Sequence, residues 1–232
     1  MHIINWKVDR PAAHLVKAFS DIAAANISDA MGRQNSMNHT MQAIWRGARV
    51  CGPAVTVKSY ACDNLMVHKA MQVAKAGDVL VVQGSSHLDG ALWGDLMTKS
   101  ALVRGIAGVI IDSGVRDRDE IEAHRFPVFA TAVLPGGTYK SHPGSINVPV
   151  SVAGAVVEPG DIVVGDSDGV VVVPKGMAHE VLDTVRRVRE HEANVTERVQ
   201  RGELIFDILD LQRFLDRPDV REVRDDSVAS EV

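Results

Sequence analysis

Two short segments at residues 79–82 and 108–112, apolar apart from the final Asp112, alternate with stretches that have helical periodicity. Uninterrupted apolar runs of this length are typical of strands that are covered on both faces. Strands that alternate with helices at this spacing predict βαβ units and a parallel sheet. For this half of the chain we predict strands over residues 54–59, 79–82 and 108–112, helices over 11–25, 63–76 and 90–104, a short helix capped by Ser28 and ending at Met31, and a long loop over 33–50.

The pattern changes after residue 125, where short Val-rich segments are broken by Gly, Pro and Asp. Such segments favour antiparallel hairpins or a small barrel-like layer beside the parallel strands. A long polar helix over 175–200 and a second helical stretch over 203–215 are predicted to follow. A length of 232 residues fits one large domain. We therefore predict a single α/β domain over residues 1–218 and a charged, mobile tail over 219–232.

Charge and cysteine content exclude several classes of protein. The net charge is −5 and there is no basic patch, so nucleic acid is not an expected partner. Two cysteines, Cys51 and Cys62, cannot form a disulfide framework or a structural zinc site of Cys ligands. The N-terminal ten residues lack the apolar region of a secretory signal, and no apolar run is long enough to cross a membrane. We therefore expect a cytoplasmic protein without a membrane partner.

Residues 165–169 match the nucleophile-elbow pattern G-x-S-x-G by letters alone. A nucleophile elbow requires a helix after the serine. Here a Val-rich strand follows, so the segment predicts a hairpin turn instead.

Residues 90–117 contain the groups that best suit chemistry. Asp95 follows Gly94 at a predicted helix start, where the free amides of Leu96 and Met97 can bind an anion such as a carboxylate. Arg116 and Asp117 follow the strand at 108–112, and ligands in α/β sheets bind beyond the carboxyl ends of strands. The other interpretation is structural: Asp95 is a plain helix cap, and the Arg–Asp pair is a solvated pair that begins the next helix.

The same residues resemble a known family. The segments are GALWGDLMTKSALVRGIAGVIIDSGVRD at 90–117, with ISDAMGR at 27–33, DNLMVH at 63–68, FPVFA at 126–130, GSINVPV at 144–150 and PGDIVVGDSDGVVVVP at 159–174. Together they resemble the RraA-like superfamily, in particular its class II 4-hydroxy-4-methyl-2-oxoglutarate and 4-carboxy-4-hydroxy-2-oxoadipate aldolases. The resemblance implies an α/β/α sandwich with a mixed sheet or small barrel-like β layer and C-terminal helices.

The resemblance also implies a site that uses Mg²⁺ or Mn²⁺. Asp117 would be the direct metal ligand, while Asp95 and Glu192 would hold water molecules of the metal. Glu192, on the C-terminal helix, would come from a neighbouring subunit, and Glu190 and Glu197 are nearby alternatives. Arg116 would stabilise a pyruvate enolate together with the metal. The backbone at Gly94, Leu96 and Met97 would hold the pyruvate carboxylate.

Asn64 and His68 lie one helical turn apart and so share a face of the predicted helix. Either both line the cleft, or His68 is a buried histidine whose hydrogen bonds are satisfied within the core.

The implied reaction is retro-aldol cleavage of a 4-hydroxy-2-oxo acid to pyruvate and a second oxo acid, with oxaloacetate decarboxylation as a side activity. Because a neighbouring subunit supplies Glu192, the resemblance implies a homotrimer or homohexamer with its active site at the subunit interface. Two alternatives stay open. One is a non-catalytic regulator that binds an RNase E-like protein, and the other is a dedicated oxaloacetate decarboxylase.

Overall fold

The computed structural model describes residues 1–84 and 89–223. The chain forms two compact units, Met1–Arg186 and Arg187–Val232. The single domain predicted over residues 1–218 stays a prediction. Of the predicted tail, residues 224–232 lie outside the described residues.

The helices of the described chain are α1 (Ala13–Phe19), α2 (Ala24–Ala30), α3 (Leu65–Val73), α4 (Asp95–Val103), α5 (Arg118–Ala123), α6 (Ala178–Gln200) and α7 (Ile205–Ile208), with 3₁₀ turns at Lys175–Met177 and Leu211–Phe214. The strands are β1 (Gln42–Ala43), β2 (Val50–Lys58), β3 (Val79–Gln83), β4 (Ala91–Trp93), β5 (Gly108–Val115), β6 (Val128–Val133), β7 (Ser145–Ile146), β8 (Val150–Val152), β9 (Ala155–Val157), β10 (Ile162–Asp166) and β11 (Gly169–Val173).

The first unit is built on a mixed sheet with the strand order β1-β6-β5-β3-β2-β10-β11. Its centre is parallel, since β2, β3, β5 and β6 pair in that sense, and this confirms the predicted βαβ units. Residues 79–82 of β3 and the apolar residues of β5 are buried as predicted, and β5 continues to Val115, beyond its predicted end at residue 112. The Val-rich strands β10 and β11 add an antiparallel hairpin to one side of the parallel strands.

One stretch of chain joins the two edges of this sheet. The N–H of Met37 donates to the carbonyl of Val170 in β11 (2.8 Å), and the N–H of Val172 donates to the carbonyl of Asn35 (3.0 Å). Only a few residues later, β1 pairs with β6 at the opposite edge. The sheet therefore curls into a nearly closed, barrel-like layer, and the predicted α/β fold with a mixed sheet and C-terminal helices is confirmed.

The helix predicted over 11–25 and the short helix predicted to be capped by Ser28 differ from the observed helices. The helix predicted over 11–25 ends at Phe19 and a second begins at Ala24, so the prediction that Ser28 caps a helix is wrong. The second helix begins at Ala24 because its N–H donates to the carboxylate of Asp166 (2.9 Å), which is distant in the sequence.

The start of the helix predicted over 90–104 is also wrong, because residues 91–93 form the strand β4. This strand pairs in parallel with the end of β5. The helix α4 therefore begins only at Asp95.

The segment 165–169 is the hairpin turn that the sequence predicts. Strand β10 ends at Asp166 and β11 begins at Gly169, and these two residues face each other in the register. The side chain of Asp166 accepts the N–H of Asp168 (3.0 Å), which is a local turn contact.

In the second unit, the 3₁₀ turn Leu211–Phe214 and α7 contain no buried residue. Several of its large apolar side chains, among them Leu204, Ile205 and Phe214, are exposed. Across the described ranges, no helix combines the length and apolar character that spanning a membrane requires.

Candidate functional site

A cavity of about 230 Å³ lies in the first unit. It is formed where β4 and β5 end, at the first turns of α3 and α4 and beside the segment 137–140. Its lining includes eight of the nine residues that the sequence predicts for the site. The full lining is Asn64, His68, Ala91, Trp93, Gly94, Asp95, Leu96, Met97, Arg116, Asp117, Gly137, Thr138 and Lys140.

The turn between β5 and α5 places Arg116 and Asp117 at the cavity. The N–H of Arg116 donates to the carbonyl of Trp93 (3.0 Å), which ties the end of β5 to β4. Asp117 has a left-handed backbone with φ of +59°. Aspartate tolerates this conformation better than most residues, and such conformations cluster at functional sites.

The carboxylate of Asp117 bridges the two elements of the site. Its Oδ2 atom accepts the N–H of Asp95 (2.9 Å) and lies 3.6 Å from Nε of Arg116. The residue that precedes α4 is Gly94, so Asp95 is the first residue of the helix and not its cap. Asp117 therefore accepts a hydrogen bond from the first amide of α4 and also lines the cavity.

The carboxylate of Asp95 is held by two side chains, one on each oxygen. Lys99 donates to Oδ2 (2.7 Å), and Nε2 of His124 lies 3.1 Å from Oδ1. The hydrogen bond from Lys99, supported by that from His124, holds the pKa of Asp95 below its ordinary value. Asp95 therefore stays ionised and fixed in orientation at neutral pH.

The first turn of α4 offers free amides to the cavity. The first N–H paired within the helix is that of Thr98, which donates to the carbonyl of Gly94 (3.0 Å). The residue before α4 is Gly94, which has no side chain to cap the helix. The N–H groups of Leu96 and Met97 are thus left without an acceptor in the described chain, and a helix start of this kind attracts a carboxylate.

The first turns of α3 bring two polar side chains to the cavity. Asn64 donates through Nδ2 to the carbonyl of Leu92 (3.2 Å), which fixes its amide. Its Oδ1 atom and Nε2 of His68 are buried without a hydrogen-bond partner among the described residues. The alternative in which the hydrogen bonds of His68 are satisfied within the core does not hold for Nε2. Burial, and then the ammonium group of Lys140, lower the pKa of His68.

Sequence reasoning missed five lining residues: Ala91 and Trp93 in β4, and Gly137, Thr138 and Lys140 in the segment 137–140. Lys140 matters most, because it adds a second cation to the cavity besides Arg116. No pattern in the sequence marks it, since its position depends on contacts between distant segments.

Those contacts centre on Asp63, whose side chain is almost wholly buried (1% exposed). Its carboxylate accepts the N–H groups of Leu65, Ser141 and His142 at 2.7–2.9 Å and faces Nδ1 of His142 at 3.1 Å. Burial by itself would raise the pKa of Asp63, but the hydrogen bonds from Ser141, Leu65 and His142 outweigh it and lower the pKa. Asp63 therefore fastens the segment that carries Lys140 to the start of α3.

Asp63→Asn is expected to destabilise the protein by about 1–3 kcal/mol, because one oxygen that accepts backbone N–H groups is replaced by a donor. A carboxylate with a lowered pKa in the folded state contributes stability above its unfolded pKa, and this is lost as the pH falls through the folded pKa. Urea unfolding of the variant should accordingly depend less on pH below about 5 than that of the wild type. The exposed Asp21→Asn is the matched control, and equal pH dependence in wild type and Asp63→Asn would contradict this account.

Glu192 lies on α6 in the second unit, where it is exposed. It does not belong to the lining of the cavity in the first unit. The predicted role of Glu192 at the site stays a prediction.

The carboxylates at the cavity fit a hard divalent cation. Asp117 and Asp95 supply oxygen donors, which Mg²⁺ and Mn²⁺ prefer. Within residues 1–84 and 89–223 there is no group of three or more His, Cys, Asp or Glu that could enclose a metal ion. Mg²⁺ typically binds through one or two carboxylates, with water and substrate completing its shell, so this donor set suits it better than a structural zinc site.

The position of Gly94 has no room for a side chain. A methyl group there would lie 2.6 Å from Oδ2 of Asp117 and 3.2 Å from Cγ of Arg116. Gly94→Ala is expected to displace both side chains and to reduce turnover by about 10²-fold, the scale of a misplacement near 1 Å. Gly176→Ala, where a methyl group meets nothing within 4 Å, is the control. Steady-state rates and melting temperatures of both variants test this, and unchanged turnover in Gly94→Ala would contradict the geometry.

The fold and cavity define a class: a mixed α/β protein with an anion-binding helix start, an arginine and carboxylates beyond the ends of parallel strands. The model of the RraA-like family, which is described as Aldolase/RraA, matches residues 24–172. The chain therefore belongs to this family.

The relatives of this chain include a protein named as an aldolase and a protein described as a member of an RNase inhibitor family. A protein of Halalkalibacterium halodurans named "Putative 4-hydroxy-4-methyl-2-oxoglutarate aldolase" is 37% identical over 172 residues, which cover 74% of this chain and 82% of that protein. A crystal structure from Pseudomonas syringae, of a protein described as uncharacterized, has a TM-score of 0.76 at 27% identity over 84% of this chain and 96% of that one. Streptomyces coelicolor RraAS2, described as an unusual member of the RNase ES inhibitor RraA family, has a TM-score of 0.73 at 28% identity over 81% and 98% of the two chains.

Proposed function

We propose that this protein is a class II pyruvate aldolase, a carbon–carbon lyase that cleaves a 4-hydroxy-2-oxo di- or tricarboxylic acid to pyruvate and a second oxo acid. Candidate substrates are 4-carboxy-4-hydroxy-2-oxoadipate and 4-hydroxy-4-methyl-2-oxoglutarate. The observation that carries the proposal is the meeting of Arg116, Asp117 and the free amides of α4 at one cavity. Membership of a family that includes proteins named as such aldolases supports it.

The pyruvate half of the substrate has a binding partner for each polar group. Its carboxylate would accept the N–H groups of Leu96 and Met97 and be favoured by the positive end of the α4 dipole. The 2-keto oxygen gains negative charge as the C3–C4 bond breaks and the enolate forms. The guanidinium of Arg116, held beside Asp117, would stabilise that charge.

Asp117 would hold a divalent cation, Mg²⁺ or Mn²⁺, which supplies Lewis-acid stabilisation of the developing oxyanion when bound. Asp95 would keep water oriented near this position, because Lys99 and His124 fix its carboxylate.

The second product leaves from the opposite side of the broken bond. Lys140 adds a positive charge on the wall formed by the segment 137–140. This charge suits a substrate with a further carboxylate beyond C4. Oxaloacetate would be decarboxylated as a side activity, because losing carbon dioxide leaves the same pyruvate enolate.

Glu192 would reach the site of a neighbouring subunit in a homotrimer or homohexamer. Its place in the second unit, outside the lining of its own chain's cavity, is compatible with that role. Light scattering tests this, since a monomer that is fully active would contradict a shared site.

A non-catalytic regulator of an RNase E-like protein is the second candidate. The similarity to RraAS2 of Streptomyces coelicolor favours it. The two candidates differ in one respect: a regulator needs no substrate at the cavity.

Pyruvate release from 4-carboxy-4-hydroxy-2-oxoadipate, 4-hydroxy-4-methyl-2-oxoglutarate and oxaloacetate separates the candidates. With Mg²⁺ the aldolase is expected to cleave a hydroxy-oxo acid, and EDTA is expected to stop it. Turnover of oxaloacetate alone would identify a decarboxylase instead. A folded protein that turns over none of the three with Mg²⁺ or Mn²⁺ present would contradict the aldolase and favour the regulator.

A further inference from the structure

One of the residues that line the cavity has an imidazole nitrogen without a partner among the described residues. Nε2 of His68 is buried and accepts or donates no hydrogen bond among the described residues. A buried polar atom left unpaired is destabilising, and its presence in a native structure calls for an explanation such as a catalytic role. Because His68 lines the cavity, a bound substrate is the available source of a partner.

The charge state of this imidazole suits a base. Burial and the nearby ammonium group of Lys140 both disfavour the protonated ring and lower its pKa. The neutral imidazole, which keeps a lone pair on one nitrogen, is therefore the form present at pH 7. The two carboxylates of the cavity are engaged elsewhere: Asp95 with Lys99 and His124, and Asp117 with the amide of Asp95.

The proposed reaction leaves one group of the substrate without a partner. The carboxylate and the keto oxygen are assigned to α4, Arg116 and the cation, whereas the C4 hydroxyl must lose its proton as the C3–C4 bond breaks. A general base must therefore face C4. The neighbouring Asn64, one helical turn before His68, also presents an unpaired buried atom, Oδ1. The start of α3 thus carries two unpaired hydrogen-bonding atoms on residues that line the cavity.

We infer that His68 is the general base that removes the proton of the C4 hydroxyl, an inference that rests on the proposed aldol cleavage. The O–H bond breaks as its proton moves to the imidazole, and the oxygen lone pair forms the new carbonyl at C4. The C3–C4 bonding pair becomes the C2–C3 double bond of the enolate. His68 then returns its proton to solvent, and C3 takes a proton from solvent, so the cleavage consumes no other reactant.

The side activity provides an internal control. Oxaloacetate has no C4 hydroxyl, and its decarboxylation reaches the same enolate without removal of a hydroxyl proton. A variant that lacks the base should therefore lose aldol cleavage and keep decarboxylation. A role of His68 in the packing of α3 would instead change both reactions together.

His68→Gln tests the inference, with His14→Gln, an exposed histidine on α1, as the matched control. Removal of the base is expected to reduce kcat for the hydroxy-oxo acid by about 10²–10⁴-fold. The rate of oxaloacetate decarboxylation and the melting temperature should stay close to those of the wild type. Aldol cleavage at wild-type rate, or an equal loss of both reactions, would overturn the role of His68 and leave the proposed function intact. A wild type that cleaves no hydroxy-oxo acid would overturn both.

A second variant covers the case in which His68→Gln does not fold. His68→Ala leaves room for a small base, so added imidazole is expected to restore aldol cleavage and to leave decarboxylation unchanged. Imidazole without effect on a folded alanine variant would contradict the inference.

Discussion

Asp117→Asn is expected to abolish most of the metal-dependent pyruvate release, with a loss of about 10³-fold or more in kcat. A bound cation contributes several kcal/mol to the stabilisation of transition-state charge, and each 1.4 kcal/mol is about tenfold in rate. Asparagine tolerates the left-handed backbone of this position and keeps an acceptor for the N–H of Asp95, so the substitution removes chiefly the charge.

Asp119→Asn, an exposed change in the first turn of the following helix α5, controls for a general effect of lost negative charge. Initial rates across a range of Mg²⁺ concentrations are the measurement. If Asp117→Asn keeps full activity and EDTA still abolishes it, the cation is bound by other ligands. That result would contradict the assignment of Asp117.

Arg116→Lys is the second change with a large expected effect, a reduction of about 10²–10³-fold in kcat with a smaller change in KM. Lysine keeps the charge but not the planar donors that can bind both the enolate oxygen and Asp117. Arg116→Met, which also removes the charge, is expected to be at least as severe.

Arg118→Lys is the control, because Arg118 is exposed on α5 and outside the lining of the cavity. Separate determination of kcat and KM distinguishes stabilisation of the transition state from substrate binding. A change in KM alone for Arg116→Lys would limit this residue to ground-state binding.

The sequence predicts the parallel centre of the sheet well, because β3 and β5 are apolar at successive positions and permit little else. It fails where a local preference is overruled from far along the chain. The start of α2 depends on the carboxylate of Asp166, and β4 depends on pairing with the end of β5. Neither partner can be read from the neighbouring residues.

In the site, too, the features set by local sequence could be predicted and those set by distant contacts could not. The groups at the ends of β5 and at the start of α4 could be predicted to meet, since each directly follows or begins a regular element. Lys140 could not, because its segment is fixed by hydrogen bonds between Asp63 and backbone groups almost eighty residues later. The buried, unpaired state of Nε2 of His68 is likewise a property of packing alone.

The most direct measurement of the central claim is a crystal structure of the protein soaked with Mn²⁺ and oxalate, a stable mimic of the pyruvate enolate. The account predicts an anomalous signal from Mn²⁺ at the carboxylate of Asp117, with oxalate bound between Arg116 and the N–H groups of Leu96 and Met97. Mn²⁺ and oxalate that bind away from Asp117, or a cavity that stays empty at saturating concentrations of both, would contradict it.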